Sequence, residues 1–356
     1  MKTTTHPQAR VHSLQSLGTT AARLRGKNNE GLLGAVLVLL VVVVGAVDPQ
    51  FWSLATVFNL VQNSFEQLVF ALGFLLVLLV GGIDVSFDAI GIFAGYVVAL
   101  LASKGILPDS IPIAFVVAAL IGLLLGLLNA AIAAGLRLPV MIVTLGTRGL
   151  FTGFLLTFIG SSYVTTLPQT LGMFAQADLV KVHAGTNQTV GLNVLVIPLA
   201  ILVALLAWLL SRTLFGRGLY AVGGDEEAAR RVGFPVGMIK AAALCLAGVL
   251  AGLAGMIHIT LLGYGNPFEL VGQETNVIAA VVLGGASITG GKGSVLGTVL
   301  GVLLVSLINY SLVQLGIPST WQEVAIGVLL VLGVSAQFAS RRKQMNVAMA
   351  EEEVAS

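Results

Sequence analysis

The sequence has few charged residues and a single cysteine. Asp, Glu, Lys and Arg make up 10% of its 356 residues, whereas soluble domains carry about 25%. Cys245 lies within an apolar run, so an intrachain disulfide is excluded. The net charge of +2 is too small to indicate a nucleic-acid partner. The low content of charged residues excludes an ordinary soluble protein. We therefore expect a membrane protein.

Residue patterns of a metal site or a hydrolytic centre are also lacking. The histidines are scattered and do not form a metal-binding cluster, and Cys245 has no nearby histidine partner. The histidines are His6, His12, His183 and His258. We therefore expect no enzymatic activity, no metal site and no cofactor in this chain.

The glycine-rich stretch GGASITGGKGSV, Gly284 to Val295, does not match a phosphate-binding loop. Such a loop needs a glycine six positions before its lysine and a Ser or Thr directly after it. Ala286 and Gly293 occupy those two positions around Lys292. ATP binding by this stretch is therefore not expected.

Long apolar runs dominate the chain, since 57% of residues are hydrophobic and the mean hydropathy is +0.99. About 20 apolar residues cross a bilayer as a helix. We predict an all-α, polytopic transmembrane helical bundle of about ten spans, in which glycines allow close helix packing and some helices are short or broken. The predicted spans are Gly31–Val47, Phe65–Val80, Phe87–Ser103, Ile111–Ala134, Pro139–Ile159, Val190–Leu210, Ala241–Ile259, Val271–Gly285, Ser294–Leu312 and Trp321–Ala336.

The distribution of Lys and Arg predicts that both termini are cytoplasmic. With ten spans, fifteen of the eighteen Lys and Arg residues fall on the side of the N-terminus. We expect a basic cytoplasmic tail over residues 1–30, a transmembrane domain over 31–338 and a cytoplasmic tail over 339–356. Two Gly-Gly hairpins, Leu78–Gly95 and Val281–Gly297, share one pattern, which is either an internal repeat or a general feature of glycine-rich membrane hairpins.

Polar groups inside predicted spans are candidates for a translocation path, because burying them in a bilayer is costly. Arg148 has the alternative of an ion pair that serves packing alone. Asp84 is either a helix cap or a path residue, Asp88 is predicted to cap a helix, and Glu66 has the alternative of a solvated edge. Amide side chains suit a neutral polyol. The candidates are Glu66, Asp84, Asn129, Arg148, Gln273, Glu274 and Asn309.

The stretch GGDEEAARRVGFPVG, Gly223 to Gly237, predicts a short helix on the cytoplasmic side. Acidic residues begin it, Arg230 and Arg231 end it, and Gly233 and Pro235 stop it, which is the charge order that a helix dipole favours. The stretch is either a solvated connector or a docking element for a cytoplasmic partner.

Glu227-Ala228-Ala229 followed by Gly233 resembles the cytoplasmic coupling loop of ABC importer permeases. This resemblance implies that the candidate coupling residues are Glu226, Glu227, Ala228, Ala229 and Gly233. With GGIDVSFDAIGIFAG, LPVMIVTLGTRGLFTGF and IAAVVLGGASITGGKGSVLGTVLGVLLVSLINYSL, the chain resembles the permease subunit of the ribose, xylose, galactose and autoinducer-2 class of bacterial ABC importers. The similarity runs from about Phe51 to Val334. Asp88 departs from the usual small residue of that family, which puts the exact substrate in doubt.

This resemblance implies the permease subunit of an ATP-driven carbohydrate importer in the bacterial inner membrane. The implied partners are two cytoplasmic ATP-binding subunits, a periplasmic solute-binding protein, a second permease copy or paralogue, the lipid bilayer and a small ribose-type sugar or polyol. ATP and Mg would belong to the ATP-binding subunits, and Lys292 would lie near them or near lipid headgroups. The alternative is an ion- or proton-coupled secondary transporter that uses Glu66, Asp84 or Arg148.

Overall fold

The computed structural model describes residues 30–184, 188–270, 272–318, 320–331 and 335. Helices form most of these ranges, and one antiparallel hairpin lies between them. The helices are α1 (Glu30–Val47), α2 (Leu54–Asn63), α3 (Phe65–Leu79), α4 (Phe87–Ser103), α5 (Ile111–Leu136), α6 (Val140–Phe154), α7 (Gln169–Ala175), α8 (Val196–Arg212), α9 (Leu214–Gly224), α10 (Glu226–Arg231), α11 (Val236–Leu262), α12 (Glu274–Leu283), α13 (Val295–Gln314) and α14 (Thr320–Val331). A 3₁₀ turn, Pro49–Trp52, precedes α2, and a π-helical turn, Leu155–Ile159, extends α6.

Each of the ten predicted spans overlaps one of these helices, so the polytopic helical architecture is confirmed. Within the described residues, four helices have the length and hydropathy to cross a membrane: α5, α6 with its π turn, α11 and α13. The number rises to six if α2 with α3, bent by 44°, and α8 with α9, bent by 69°, each count as one span. Helices α1, α4, α12 and α14 are apolar but shorter. The number of ten spans and the side of the termini stay predictions.

Helix α11 lies at the centre of the molecule and packs against α3, α4 and α5. Glycines spaced four residues apart make the contact with α5, where Gly122 and Gly126 face Gly248 and Gly252. A Cβ atom on Gly126 would lie 2.6 Å from the Leu244 carbonyl oxygen, so these backbones touch. Small residues at this spacing are typical of helix pairs inside membranes. The high glycine content therefore serves packing, as predicted.

Helix α3 is buried along almost its whole length, which explains why its sequence is apolar on every face. Phe70 and Phe74 pack against Phe87 at the start of α4, with ring centroids 5.4 and 5.9 Å apart. This aromatic contact holds the beginning of α4 against α3. The seven residues between the two helices, 80–86, carry the first of the predicted Gly-Gly pairs.

The two Gly-Gly hairpins end their first helices in the same way. Gly81 follows α3 with φ +80°, and Gly285 follows α12 with φ +89°, a backbone conformation that glycine adopts without strain. The second hairpin then reaches the first, because the Gly291 N–H donates to the Leu79 carbonyl at 3.0 Å. Gly223, at the end of α9, lies against both, and a Cβ there would be 2.6 Å from the Gly291 nitrogen. Three chain segments thus meet directly beside α10.

The sixth predicted span starts later than expected. Residues Gln188–Asn193 form strand β2, which pairs antiparallel with β1 (Asp178–Ala184), so the membrane helix α8 begins at Val196. Buried Asn193 fixes this start, because its Nδ2 donates to the Phe174 and Ala175 carbonyls and its Oδ1 accepts from the Leu195 N–H. The purely all-α prediction is therefore wrong at this connection, where polar residues satisfy the backbone through a hairpin.

The predicted N-terminal tail, up to residue 29, and the predicted C-terminal tail, 339–356, lie outside the described residues. Their assignment as cytoplasmic tails stays a prediction.

Candidate functional site

The seven candidate path residues fall into two neighbouring groups. Asp84, Asn129, Arg148 and Glu274 take part in buried polar contacts between α4, α5, α6 and α12. Glu66, Gln273 and Asn309 line one cavity between α3, α12 and α13. Since Gln273 and Glu274 are consecutive, the start of α12 joins the two groups.

Arg148 is the centre of a three-residue ion cluster. Its Nη2 atom lies 3.0 Å from Asp88 Oδ2 and 2.8 Å from Glu274 Oε1. Asp88 is 4% exposed and Arg148 is 26% exposed, so water screens these charges only in part. The cluster ties the middle of α6 to the first turns of α4 and α12. Arg148 thus pairs with one carboxylate on each of two helices. These pairs are compatible both with a role in packing alone and with a role in the path.

The helix-capping prediction for Asp88 covers only part of its role. Its Oδ1 accepts the Ala89 N–H at 2.8 Å, which is a contact at the helix start, but its Oδ2 pairs with Arg148. The residue at the N-cap position of α4 is Ser86, whose side chain makes no cap hydrogen bond. The ion pair dominates because a nearly buried carboxylate needs a compensating charge.

Asp84 lies in a buried hydrogen-bond network at the break between α3 and α4. Its Oδ1 accepts both the Ser86 N–H at 2.8 Å and the Ser86 hydroxyl at 2.7 Å. Ser86 Oγ in turn accepts from Asn129 Nδ2 at 2.8 Å. Thr144 accepts the Val85 N–H, so α6 also holds this break. Helix α6 therefore contacts both clusters, through Thr144 and, one turn later, through Arg148.

The cavity that Glu66, Gln273 and Asn309 share has a volume of about 380 Å³. We call it the amide cavity, because six of its ten lining side chains are amides and none is a cation. Its lining residues are Asn63, Glu66, Gln67, Gln273, Asn276, Ser306, Asn309, Tyr310, Val313 and Gln322. The amides and hydroxyls supply both donors and acceptors to this space, which fits a small hydroxylated molecule.

Two amides of the amide cavity have an atom without a protein partner. Gln67 Nε2 and Asn309 Oδ1 are buried and make no hydrogen bond within the described residues. The other end of Gln67 is held, because its Oε1 accepts the Ser306 hydroxyl at 3.2 Å. A buried polar atom without a partner costs about 1–3 kcal/mol, so these two amides lower the stability of the fold.

A histidine that the sequence analysis set aside clamps Glu66. His258, in α11, places Nδ1 2.5 Å from Glu66 Oε2 and Nε2 3.1 Å from Glu269 Oε2. A neutral imidazole has one N–H donor, so both contacts together require a shared additional proton. The Tyr264 hydroxyl donates to Glu269, and that bond raises the pKa of Tyr264. His258 was missed because only metal clusters were considered; its place in an apolar helix was the available signal.

The predicted cytoplasmic helix is present as α10. Asp225 is its N-cap and accepts the Ala228 N–H at 2.9 Å, and the helix is followed by Gly233 at φ +94°. Among the coupling candidates, Ala229 is buried at 3% exposure, whereas Ala228 and Glu227 are exposed. Glu227 pairs with Arg231 at 2.5 Å, and Glu226 with Arg230 at 3.2 Å and Lys240 at 2.6 Å. The helix is thus rigid, anchored by Ala229 and charged on its outer face.

Within the part of the chain that the structure describes, no group of three or more His, Cys, Asp or Glu side chains could hold a metal ion. The polar clusters hold one another through hydrogen bonds and ion pairs.

Comparison with known proteins places these features in a family of transport proteins. A family model described as "Branched-chain amino acid transport system / permease component" matches residues 56–334. The autoinducer 2 import system permease protein LsrC of Shigella flexneri is 35% identical over 295 residues, which is 83% of this chain and 82% of that protein. The protein of the same name from Escherichia coli O157:H7 is 35% identical over 306 residues, 86% of each chain. That of Salmonella typhi is 33% identical over 307 residues, 86% of this chain and 84% of that protein. No solved structure matches the chain.

Proposed function

Because the chain belongs to the branched-chain amino acid transport system permease family, we propose that it forms the translocation path of an ATP-driven importer for a small carbohydrate or related polyol. Family membership makes it a multi-pass permease of the bacterial inner membrane and confirms the resemblance expected from the sequence. The nature of the cargo, the path residues and the coupling to ATP are the content of the proposal.

The proposed path starts in the amide cavity and continues through the two buried clusters. Glu66, Gln273 and Asn309 line the cavity, and Glu274 leads to Arg148. Beyond the ion cluster lies the network of Asp84 and Asn129. The arrangement supports the path, because Gln273 and Glu274 are consecutive and Thr144 and Arg148 lie one turn apart on α6, so the three polar groups follow one another across neighbouring helices.

The chemistry of the amide cavity supports a neutral, hydroxylated cargo. An amino acid carries a carboxylate, and no cation lines the cavity to pair with it. Hydroxyl groups can both donate to and accept from the amide side chains that line the cavity. The permeases of autoinducer 2 import among the relatives fit the same chemical class.

A movement driven by ATP hydrolysis would be transmitted to the path through α10. ATP and Mg would bind to separate cytoplasmic subunits that dock on the exposed face with Glu227, and α10 would pass the movement on to its neighbours. Gly223 supports this, because it contacts both Gly-Gly hairpins directly beside α10. Shifting the ratio of two permease conformations from 1:99 to 99:1 needs about 5.5 kcal/mol of differential stabilisation. A solute-binding protein would deliver the cargo, and a second permease copy or paralogue would complete the channel.

Reconstitution in proteoliposomes tests this proposal. The full chain would be combined with an ABC ATP-binding subunit and a solute-binding protein of the ribose and autoinducer-2 import class, and uptake of labelled ribose and autoinducer-2 would be measured. We expect uptake of at least one of them only with ATP and all three components. Leucine, as a zwitterionic control, should not be taken up. Leucine uptake would contradict the proposed cargo class.

The clamp on Glu66 favours one alternative, a proton-coupled secondary transporter. His258 binds Glu66 and Glu269 with a shared proton, which is the arrangement a proton relay would use. Uptake by the chain alone, without ATP and driven by a proton gradient, would establish this alternative. Uptake that requires ATP and is unaffected by a protonophore would exclude it.

A further inference from the structure

A second, larger cavity lies beside α10 and apart from the proposed path. Its volume is about 880 Å³, and α5, α6, α10 and α11 border it together with the Gly81 to Ile83 segment. Neither the residues of the ion cluster nor those of the Asp84 network line this space. The cavity therefore needs an occupant other than cargo on the proposed path. We call it the basic cavity.

Three cations and one carboxylate line the basic cavity: Arg137, Arg230, Lys240 and Glu226. Glu226 binds Arg230 and Lys240, at 3.2 and 2.6 Å, so one acid serves two bases. Arg137 forms no ion pair with any residue that the structure describes. An excess of positive charge remains, and it favours an anionic ligand.

Backbone groups add to this positive field. The first turns of α6 and α11 both border the cavity, through Val140 and Met141 and through Val236 and Gly237. Neither helix start carries a side-chain cap, since the residues before them are Pro139 and Pro235. Helix starts with free N–H groups favour anionic groups. These two starts reinforce the three cations but would not make a site without them.

The remaining wall is apolar and continues onto an exposed apolar surface. Leu138 and Met141 line the cavity and are 40% and 46% exposed. Next to them, Leu136 and Ile142 expose 66% and 57% of their surfaces. A soluble anion would leave this apolar wall in water, whereas an amphiphile would cover the wall and neutralise the cations at once.

We propose that the basic cavity binds an anionic phospholipid, with the phosphate near Arg137 and Lys240 and the glycerol and upper acyl chains against the apolar wall. The bound phosphate would link the corner between α5 and α6, which carries Arg137, to α10 and α11. Anionic lipid would thereby hold the proposed coupling helix in place. The proposal rests on the assignment of α10 as the coupling helix, because Glu226 and Arg230 of that helix line the cavity.

The test uses the purified full chain in detergent and lipids that differ only in the headgroup. Binding of dioleoyl phosphatidylglycerol and dioleoyl phosphatidylcholine would be measured by native mass spectrometry, and the midpoint of thermal unfolding would be followed as each lipid is added. We expect the wild-type chain to retain phosphatidylglycerol selectively and to unfold at a higher temperature in its presence. Equal retention of both lipids would overturn the proposal and leave the cavity to a protein partner.

The variant Arg137→Asn/Lys240→Gln removes two of the cations. Asparagine is chosen for position 137 because Arg137 has φ +53°, which asparagine tolerates. Each cation near the surface contributes about a fivefold preference for anionic lipid, so selective binding should weaken about 30-fold. Arg212→Gln is the matched control, because Arg212 is exposed at the end of α8 and does not line the cavity.

Two further measurements test whether the variants are folded and whether the cavity prefers a lipid to a soluble phosphate ester. Size-exclusion profiles of the two variants must match that of the wild-type chain; if Arg137→Asn/Lys240→Gln aggregates, Arg137→Asn alone, with a weakening of about fivefold, takes its place. Glycerol 3-phosphate would be added as a soluble phosphate ester. If it displaces phosphatidylglycerol at equal concentration, the cavity binds soluble phosphate esters and the lipid proposal is wrong.

Discussion

Arg148 and Glu274 form an ion pair, 2.8 Å between Nη2 and Oε1, that joins the middle of α6 to the first residue of α12. The same Arg148 nitrogen lies 3.0 Å from Asp88 on α4. One guanidinium therefore compensates two carboxylates at the junction between the amide cavity and the Asp84 network. Two variants distinguish a cluster that only packs helices from one that also serves transport. One variant removes the positive charge alone, and the other removes all three charges so that no charge is left unpaired.

Arg148→Gln should destabilise the chain by about 3 kcal/mol, because it leaves two partly buried carboxylates without a counter-charge. The lower end of the usual range applies because Arg148 is 26% exposed. The measurement is the free energy of unfolding, or the midpoint of thermal unfolding in a defined detergent. Arg212→Gln, an exposed arginine outside these clusters, is the control and should change stability little.

The triple variant Arg148→Gln/Asp88→Asn/Glu274→Gln restores charge balance. We expect it to be more stable than Arg148→Gln, since no unpaired charge stays buried. If Arg148 belongs to the path, ribose or autoinducer-2 uptake should stay low despite the recovered stability. Uptake that recovers together with stability would show that the cluster serves packing alone.

Gly248→Ala should destabilise the contact between α11 and α5 by about 1–3 kcal/mol, because the added methyl group meets the backbone of Gly122 and Gly126. Gly146→Ala in α6 is the matched control: a Cβ there has no atom within 4 Å. Alanine in an open helical position stabilises by up to about 1 kcal/mol. The two substitutions should thus shift the thermal midpoint in opposite directions, and shifts of the same sign would contradict the tight contact.

Gly233→Ala should weaken docking of the ATP-binding subunit without unfolding the permease. Gly233 has φ +94°, where alanine costs about 1–2 kcal/mol, so the turn after α10 would change. The control is Gly224→Ala, just before α10, where a Cβ has no neighbour within 4 Å. Co-purification with the ATP-binding subunit and the thermal midpoint of the permease would be compared. Normal docking by Gly233→Ala would argue against α10 as the coupling element.

Local features of the chain were predictable because each rests on neighbouring residues. The order of charges from Asp225 to Arg231 and the following Gly233 predicted α10 and its end, and long apolar runs predicted the helices. The late start of α8 was not predictable in this way. It depends on pairing between Val180 and Leu192, and a continuous apolar run does not reveal where a strand gives way to a helix.

Partners of buried polar groups were less predictable than the groups themselves. Apolar surroundings identified Arg148 as a candidate, but its contacts with Asp88 and Glu274 depend on how three helices pack. The partners of His258 were even less predictable from the sequence. It lies in an apolar helix, and only the fold brings Glu66 to one side of its ring and Glu269 to the other.

Asn309→Leu separates a role in cargo binding from a role in folding. Asn309 Oδ1 is buried without a protein partner, which costs about 1–3 kcal/mol, and leucine has a similar volume. We therefore expect the substitution to leave the thermal midpoint unchanged or to raise it, while the KM for uptake rises because a hydroxyl of the cargo loses its acceptor. Ser311→Ala on the same helix is the control, since the Ser311 hydroxyl donates to the Leu307 carbonyl and does not line the amide cavity. A clear loss of stability with an unchanged KM would show that Asn309 supports the fold, and the amide cavity would then have to be removed from the path.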